Sequence, residues 1–185
     1  IVMLVRIDDQ ASLGVHRLRL ITSRGLSTPV LLRVSDRSDT VVNEDETRSS
    51  CADPDGAQLI RLPGMVNGQT TADMQGEVDY YGFDVNANEE LEFEAFYDTR
   101  PGSAVADQAG KIAYILELYE ASASWFDSSA LKRIAMDDAP ISYRDTARPY
   151  LRHRFQNAGR HLVAVKAFDG TGGPEYSYQL RIART

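Results

Sequence analysis

A chain of 185 residues is long enough for one ordinary domain with a sizeable core, or for one domain plus part of another. Its net charge of -7 argues against a nucleic-acid partner, because affinity for nucleic acid depends largely on Lys and Arg that neutralise phosphates. No apolar run approaches the roughly 20 residues that a membrane-spanning helix needs, and the single cysteine, Cys51, excludes an internal disulfide and a Cys-rich metal site.

Three runs rich in apolar residues open the chain and predict strands at 2–7, 15–21 and 29–34, with Gly14 and the turn at 23–25 between them. A polar, acidic stretch at 37–56 follows and predicts a linker. Three strands are too few for a sandwich of about seven. Residues 1–36 are therefore expected to be part of a larger domain.

From residue 57 onward, apolar and polar side chains alternate, as in Leu91, Phe93 and Ala95 against Glu92 and Glu94. Turn-forming Gly, Pro and Asn residues separate such runs. This pattern predicts an all-β fold, an antiparallel β-sandwich with a jelly-roll-like arrangement, over 57–185. The other runs are Ile112, Tyr114, Leu116 and Leu118; Leu151, His153 and Phe155; Leu162, Ala164 and Phe168; and Tyr176, Tyr178, Leu180 and Ile182.

Several short motifs follow one another in a characteristic order: EDE at 44–46, AQ at 57–58, LPGMVNG at 62–68, GEVDYYGFDV at 76–85, LELY at 116–119, DD at 137–138, AGRH at 158–161 and YSYQL at 176–180. In order and spacing they resemble the bacterial pre-peptidase C-terminal domain family, β-sandwich modules of secreted proteases and surface proteins, similar in fold to the collagen-binding domains of clostridial collagenases. ASLGVHRLRL at 11–20 and GLSTP at 25–29 resemble the last strands of an immunoglobulin-like domain. The resemblance implies three C-terminal strands of such a domain at 1–36, an acidic linker at 37–56 and the module at 57–185.

The resemblance also implies a calcium site, because the collagenase relatives bind calcium through an acidic linker and the start of the strand that follows. The matching positions are Glu44, Glu46, Glu77 and Asp79. Calcium takes about six to eight oxygen ligands, which acidic side chains supply. Where the relatives continue with Asn or Asp after the second glutamate, this chain has Thr47-Arg48, and an arginine disfavours a cation. Structural and turn-forming roles for the acidic residues, including Asp53, Asp55, Asp137 and Asp138, are the alternative.

Catalytic residues are not predicted. His16, His153 and His161 lie in separate predicted strands without a metal-binding spacing, and there is no GxSxG motif. Cys51 lies in a polar segment without a signature that would place a histidine beside it. The sequence therefore favours a protein that is not an enzyme and that needs no cofactor other than the calcium named above.

Aromatic side chains predict a binding surface. Trp125 and Phe126 lie in a Ser-rich insertion, where large rings can stay exposed, and Tyr80 puts a ring on one face of its strand. The alternative for Trp125 and Phe126 is that they cap the core.

Together these features predict a non-catalytic module of a secreted or cell-surface bacterial protein, with a structural or interaction role. The expected partners are other protein chains, repeats of the same protein or an extracellular polymer; no nucleic acid and no membrane span are expected. The alternative is a targeting domain of a secreted enzyme that binds collagen or carbohydrate and is stabilised by calcium. The first residues lack the features of a signal peptide, so any export signal is expected in a longer precursor.

Overall fold

The computed structural model describes residues 4–27, 30–34, 39–44, 54–70, 77–97, 114–120, 131–137, 149–168, 170, 172 and 176–185. The chain divides into two compact units, Ile1–Ser38 and Asp39–Thr185. None of the described residues belong to a helix with the length and apolarity needed to cross a membrane.

The first unit contains four short strands: β1 (Gly14–Leu18), β2 (Ile21–Thr22), β3 (Gly25–Leu26) and β4 (Val30–Val34). β1 pairs with β4 and β2 with β3, both antiparallel. β4 matches the predicted run at 29–34, whereas the run predicted as one strand at 15–21 is divided between β1 and β2. The strand predicted at 2–7 is wrong for its described part, because residues 4–7 have no strand conformation. An apolar run becomes a strand only where a neighbour satisfies its backbone, and Leu4 is fully exposed.

The second unit contains ten described strands in two five-stranded sheets. Sheet one has the order β11-β10-β13-β8-β6, and sheet two has the order β12-β9-β14-β7-β5. The chain crosses between the sheets repeatedly, since β7, β9, β12 and β14 belong to sheet two and β8, β10, β11 and β13 to sheet one. The bounds are β5 (Thr40–Asn43), β6 (Gln58–Leu59), β7 (Gly64–Gln69), β8 (Val78–Val85), β9 (Glu90–Tyr97), β10 (Tyr114–Glu120), β11 (Lys132–Asp137), β12 (Tyr150–Arg154), β13 (Gly159–Ala167) and β14 (Ser177–Arg184).

The two sheets pack face to face around one apolar core. Phe83 of sheet one lies 5.2 Å from Phe93 of sheet two, and Tyr114 of sheet one lies 5.2 Å from Tyr178 of sheet two, as ring centroids. The prediction of an all-β sandwich is therefore confirmed. Among the described strands, the ladders are antiparallel apart from two short ones, in which β5 pairs with β7 and β6 with β8 in parallel.

The alternation of side chains holds in β9, where Leu91, Phe93 and Ala95 are buried in the core. It fails in β13, where four consecutive residues from Leu162 to Val165 are buried. β13 is the central strand of sheet one, so its outward side chains are flanked by β8 and β10. Phe168 lies beyond the end of β13 and is exposed, in contrast to its predicted inward position.

The predicted linker at 37–56 contains part of sheet two. Residues 40–43 form the edge strand β5, whose ladder is extended by hydrogen bonds from Thr40 N to Pro63 O and from Glu44 N to Asn67 O. Asp39 is almost fully buried and makes an ion pair with Arg181 at 2.6 Å. The two valines of this four-residue edge strand are adjacent, so they give no alternating pattern, and its pairing with β7 is set by the rest of the sheet.

Candidate functional site

Asp79 lies near the start of β8 and points into the sandwich, where it is fully buried. The hydroxyl of Tyr178, from the opposite sheet, donates to Oδ2 of Asp79 at 2.7 Å. Tyr81 lies 2.6 Å from the Tyr178 hydroxyl and donates to it, because the single Tyr178 hydrogen is already engaged. Gly68 faces Tyr178 across the ladder, and a Cβ at that position would overlap the tyrosine ring.

Burial raises the pKa of Asp79 to about 8, and the negative charges of Glu44 and Glu77 act in the same direction, while the hydrogen bond from Tyr178 opposes them. Glu44 lies close enough to form a hydrogen bond with Asp79 that favours the protonated form. Oε2 of Glu44 also accepts from Gln69 N at 2.9 Å, which fixes the carboxylate at the end of β7. Glu44 and Glu77, two of the other residues predicted to bind calcium, thus lie within electrostatic range of Asp79, and Glu46 lies outside the described residues.

One atom at this site has the property expected of a cation ligand. Oδ1 of Asp79 is buried and has no hydrogen-bond partner among the described residues. A hard cation is one way to satisfy such an oxygen, and a proton shared with Glu44 is another. No three acidic, histidine or cysteine side chains of the described residues lie close enough together to hold a metal ion. The residues fit one edge of a calcium site, and the site itself stays a prediction.

Tyr80 follows Asp79 and points the other way, onto the outer face of sheet one. Its ring lies 6.1 Å from the ring of Tyr119 on β10, with the two planes inclined by 55°. Both rings are half-buried. We call this outer region, which comprises Tyr80, Tyr119, Glu117, Arg133 and Lys166, the tyrosine face.

Glu117 lies at the centre of the tyrosine face and is only 2% exposed. Three groups donate to its carboxylate: the Tyr119 hydroxyl at 2.7 Å, Arg133 Nη1 at 2.7 Å and Lys166 Nζ at 3.1 Å. Burial alone would raise the pKa of Glu117, but these donors outweigh it and the pKa is lowered. Burial and the same carboxylate raise the pKa of Tyr119. The side chains are therefore fixed around an ionised glutamate.

Sequence reasoning found Tyr80 and missed the rest of the tyrosine face. Glu117 stands between Leu116 and Leu118, which are core residues, so its own side must be the outer face. The available signal was the spacing of Glu117 and Tyr119, two residues apart and hence on one face of a strand. Of the other predicted binding residues, Trp125 and Phe126 lie outside the described residues.

Two of the histidines, which lie in separate strands as predicted, contact the same aromatic ring. His153 of β12 and His161 of β13 both contact Phe155, with ring centroids 4.7 and 4.6 Å from that of Phe155. Both line a cleft of about 280 Å³. Burial lowers the pKa of each. They belong to different sheets, so their contact with the same ring depends on how the sheets pack and could not be inferred from their spacing in the sequence. His16, in the first unit, is exposed and lies 2.7 Å from Ser12 O.

Two other acidic residues have the structural roles predicted as an alternative. Oδ2 of Asp137, at the end of β11, accepts from Tyr150 N at 2.7 Å. Asp55 belongs to a single 3-10 turn, Pro54–Gly56. Cys51, Asp53 and Asp138 lie outside the described residues.

The chain matches none of the protein-family models and none of the curated proteins with which it was compared. Solved structures that it resembles include the pre-peptidase C-terminal domain of a Bacillus anthracis collagenase, at 16% identity and a TM-score of 0.45, over 68% of this chain and 93% of that one. Another is the periplasmic inhibitor of g-type lysozyme PliG from Aeromonas hydrophila, at 10% identity and a TM-score of 0.46, over 80% of this chain and 100% of that one. A third is the surface-associated copper-binding protein CorA of Methylomicrobium album BG8, at 8% identity and a TM-score of 0.46, over 70% of this chain and 98% of that one. The module that the sequence motifs resemble is thus among the solved structures that the chain resembles.

Proposed function

We propose that this protein is a non-catalytic, extracellular β-sandwich module that binds another protein chain through its tyrosine face. The observation that supports this role is the pair of rings, Tyr80 and Tyr119, beside a buried glutamate that is satisfied by three donors. Tyrosine and arginine are enriched in the centres of protein interfaces. Side chains that are already ordered lose little entropy on binding, which favours affinity.

The partner we propose is a further copy or repeat of the same module. The outer face carries both signs of charge, with Arg133 and Lys166 in its centre and Asp84 paired with Arg160 at 2.8 Å nearby. Leu59 and Met136 are exposed apolar side chains on the outer strands of the same sheet. A mixed surface of this kind suits a protein better than a polyanion.

Sedimentation velocity over a concentration series tests this role. We expect the wild-type chain to self-associate and Tyr80→Ser to weaken the association by about tenfold or more. Tyr150→Ser is the matched control, since Tyr150 is an exposed tyrosine on the edge strand of sheet two and should leave association unchanged. A wild-type chain that stays monomeric at high concentration, or a Tyr80 variant that associates like wild type, would contradict the proposal.

A second candidate role is a calcium-stabilised targeting domain, and the buried Oδ1 of Asp79 favours it. A bound ion would connect Glu44, which follows β5 of sheet two, to the start of β8 of sheet one, and so stabilise the packing of the two sheets. Thermal melting with millimolar calcium and with a chelator tests the ion, because ligand binding raises the melting temperature by mass action. An increase that Asp79→Asn removes and Asp84→Asn leaves intact supports the site; no shift in the wild-type chain eliminates it. Binding to soluble collagen without self-association would favour the targeting role.

A further inference from the structure

A cleft of about 280 Å³ opens where the end strands of the two sheets meet. Sheet one contributes residues of β10, β11 and β13, and sheet two contributes the end of β12 and the turn that leads into β13. The cleft is separate from the tyrosine face and from Asp79, neither of which lines it. Its volume is at the lower end of small-molecule sites, which suits a ligand of one ring.

One histidine gives the cleft a hydrogen-bond acceptor. Nδ1 of His161 lies 3.3 Å from the carbonyl oxygen of Gly159, and a carbonyl can only accept. In the neutral ring Nδ1 therefore carries the hydrogen and Nε2 is the acceptor. Burial keeps the pKa of His161 below its ordinary value, which favours this neutral form near pH 7. Glu120, at the end of β10, adds a carboxylate acceptor to the same wall.

The cationic side chains of the cleft leave one positive charge in excess. Lys132 lies 3.7 Å from Glu120, so these two charges balance each other. Arg154 lines the same cleft and lies opposite Glu90 in the ladder between β12 and β9, so its charge acts on that carboxylate. The neighbouring glutamate, Glu90, is held by Arg152 through two hydrogen bonds at 3.0 and 3.1 Å. Arg154 can therefore offer its planar pair of donors to a ligand carboxylate.

We propose that this cleft binds a single hexuronic acid unit, as the free sugar acid or as a residue of an acidic polysaccharide. The carboxylate of the sugar pairs with Arg154, and its hydroxyls donate to Nε2 of His161 and to Glu120. The C–H side of the ring packs on Ile134, an apolar side chain of the lining. A molecule that carries one negative charge, several hydroxyls and one apolar face satisfies each of these groups.

Other ligand classes fit the same groups less well. A phosphate dianion would meet Glu120 with one uncompensated cation, and a nucleotide is too large for the volume. A neutral sugar leaves Arg154 without a partner, although it satisfies the acceptors. A metal ion has no group of three suitable ligands among the described residues.

Isothermal titration of the full chain near pH 7 tests the site with D-glucuronate, methyl glucoside and a galacturonate oligomer. We expect D-glucuronate to bind with a dissociation constant on the order of millimolar and methyl glucoside about tenfold more weakly or not at all. Arg154→Gln should remove the preference for the acid. Arg160→Gln is the matched control, because it removes the same charge from a side chain that pairs with Asp84 outside the cleft and leaves the Arg152–Glu90 pair intact. Melting temperatures establish that both variants are folded.

The titrations distinguish the form of the ligand and also test whether the cleft binds a hexuronic acid at all. Tighter binding per unit of the oligomer than of the monomer identifies a polysaccharide, and equal binding identifies the free acid. Equal binding of glucuronate and methyl glucoside would overturn the proposal, as would an unchanged preference in the Arg154 variant. Absence of binding by all three probes at about 20 mM would overturn it too.

Discussion

Asp79 and Glu117 are two buried carboxyl groups of one sandwich with opposite electrostatics. Asp79 faces the space between the sheets and is fully buried; Glu117 faces outward and is 2% exposed. Burial raises the pKa of Asp79 to about 8, whereas the donors around Glu117 lower its pKa in spite of burial. Two carboxyl groups with nearly equal exposure thus have pKa shifts in opposite directions.

The difference lies in the partners. Glu117 receives hydrogen bonds from two cations and a hydroxyl, which compensate the loss of hydration. Asp79 receives one hydroxyl, has a second oxygen without a partner among the described residues, and lies near two further carboxylates. The charge of Glu117 is compensated by side chains of the protein, and the same hydrogen bonds hold the side chains of the tyrosine face in place. The carboxyl group of the inner site therefore retains its proton to a higher pH than that of Glu117.

The largest expected effect concerns the pH dependence of stability. Because the folded-state pKa of Asp79 is raised from 3.8 to about 8, its proton favours the folded chain. The resulting stability is fully present below about pH 3.8 and is lost as the pH rises to about 8. Asp79→Asn should flatten this loss, so that the variant melts at a higher temperature than wild type near pH 8 without calcium. Melting curves from pH 4 to 8 measure the difference, and a constant difference across this range would contradict it.

The titration of His153 and His161 changes stability with pH in the opposite direction, so their effect must be distinguished from that of Asp79. Their folded-state pKa values are lowered, so their contribution is present above about pH 6.5 and lost as the pH falls through the folded values. Both histidines are present in wild type and in Asp79→Asn, so the difference between the two proteins isolates Asp79.

A smaller effect is expected from Glu117→Gln, which leaves Arg133 and Lys166 without their common anion. Removing one member of a buried ion pair costs several kcal/mol, but both cations are partly exposed and can regain water. We expect a loss of about 2 kcal/mol in the free energy of unfolding, measured with urea. Glu120→Gln, at the end of the same strand, breaks an exposed pair with Lys132 and should cost about 0.5 kcal/mol or less. Similar losses in the two variants would show that Glu117 is an ordinary surface acid.

The smallest effect is expected from Tyr119→Phe, which keeps the ring and removes one of the three donors to Glu117. We expect a loss of about 1 kcal/mol and an increase in the pKa of Glu117, followed by carboxyl carbon NMR. Tyr80→Phe keeps the neighbouring ring and should leave that pKa unchanged. A Glu117 pKa that does not respond to the loss of the Tyr119 hydroxyl would mean that Arg133 and Lys166 alone hold the charge.

The two-residue pattern was sufficient to predict the sandwich, because burial of one strand face imposes that period. Leu91, Phe93 and Ala95 are buried as predicted. The pattern was insufficient for β5, a short edge strand whose two valines are adjacent and do not alternate with polar residues, and misleading for residues 4–7, which have no strand conformation.

The sequence motifs identified single candidate residues, but they did not predict the contacts between residues of different sheets. Glu44 and Glu77 act electrostatically on Asp79, and the calcium site that the resemblance implied stays a prediction. Tyr178 belongs to a strand that is distant in sequence from Asp79, and His153 and His161 contact Phe155 from different sheets. Such contacts depend on the register and packing of the sheets, which no local spacing encodes.

Carboxyl carbon NMR of the chain in calcium-free buffer measures the inner site most directly. We predict that the Asp79 carboxyl changes ionisation near pH 8, while that of Glu117 changes below the ordinary range for glutamate. An Asp79 signal that titrates near pH 4 without any cation would contradict the account, because the carboxylate would then be satisfied by the protein alone.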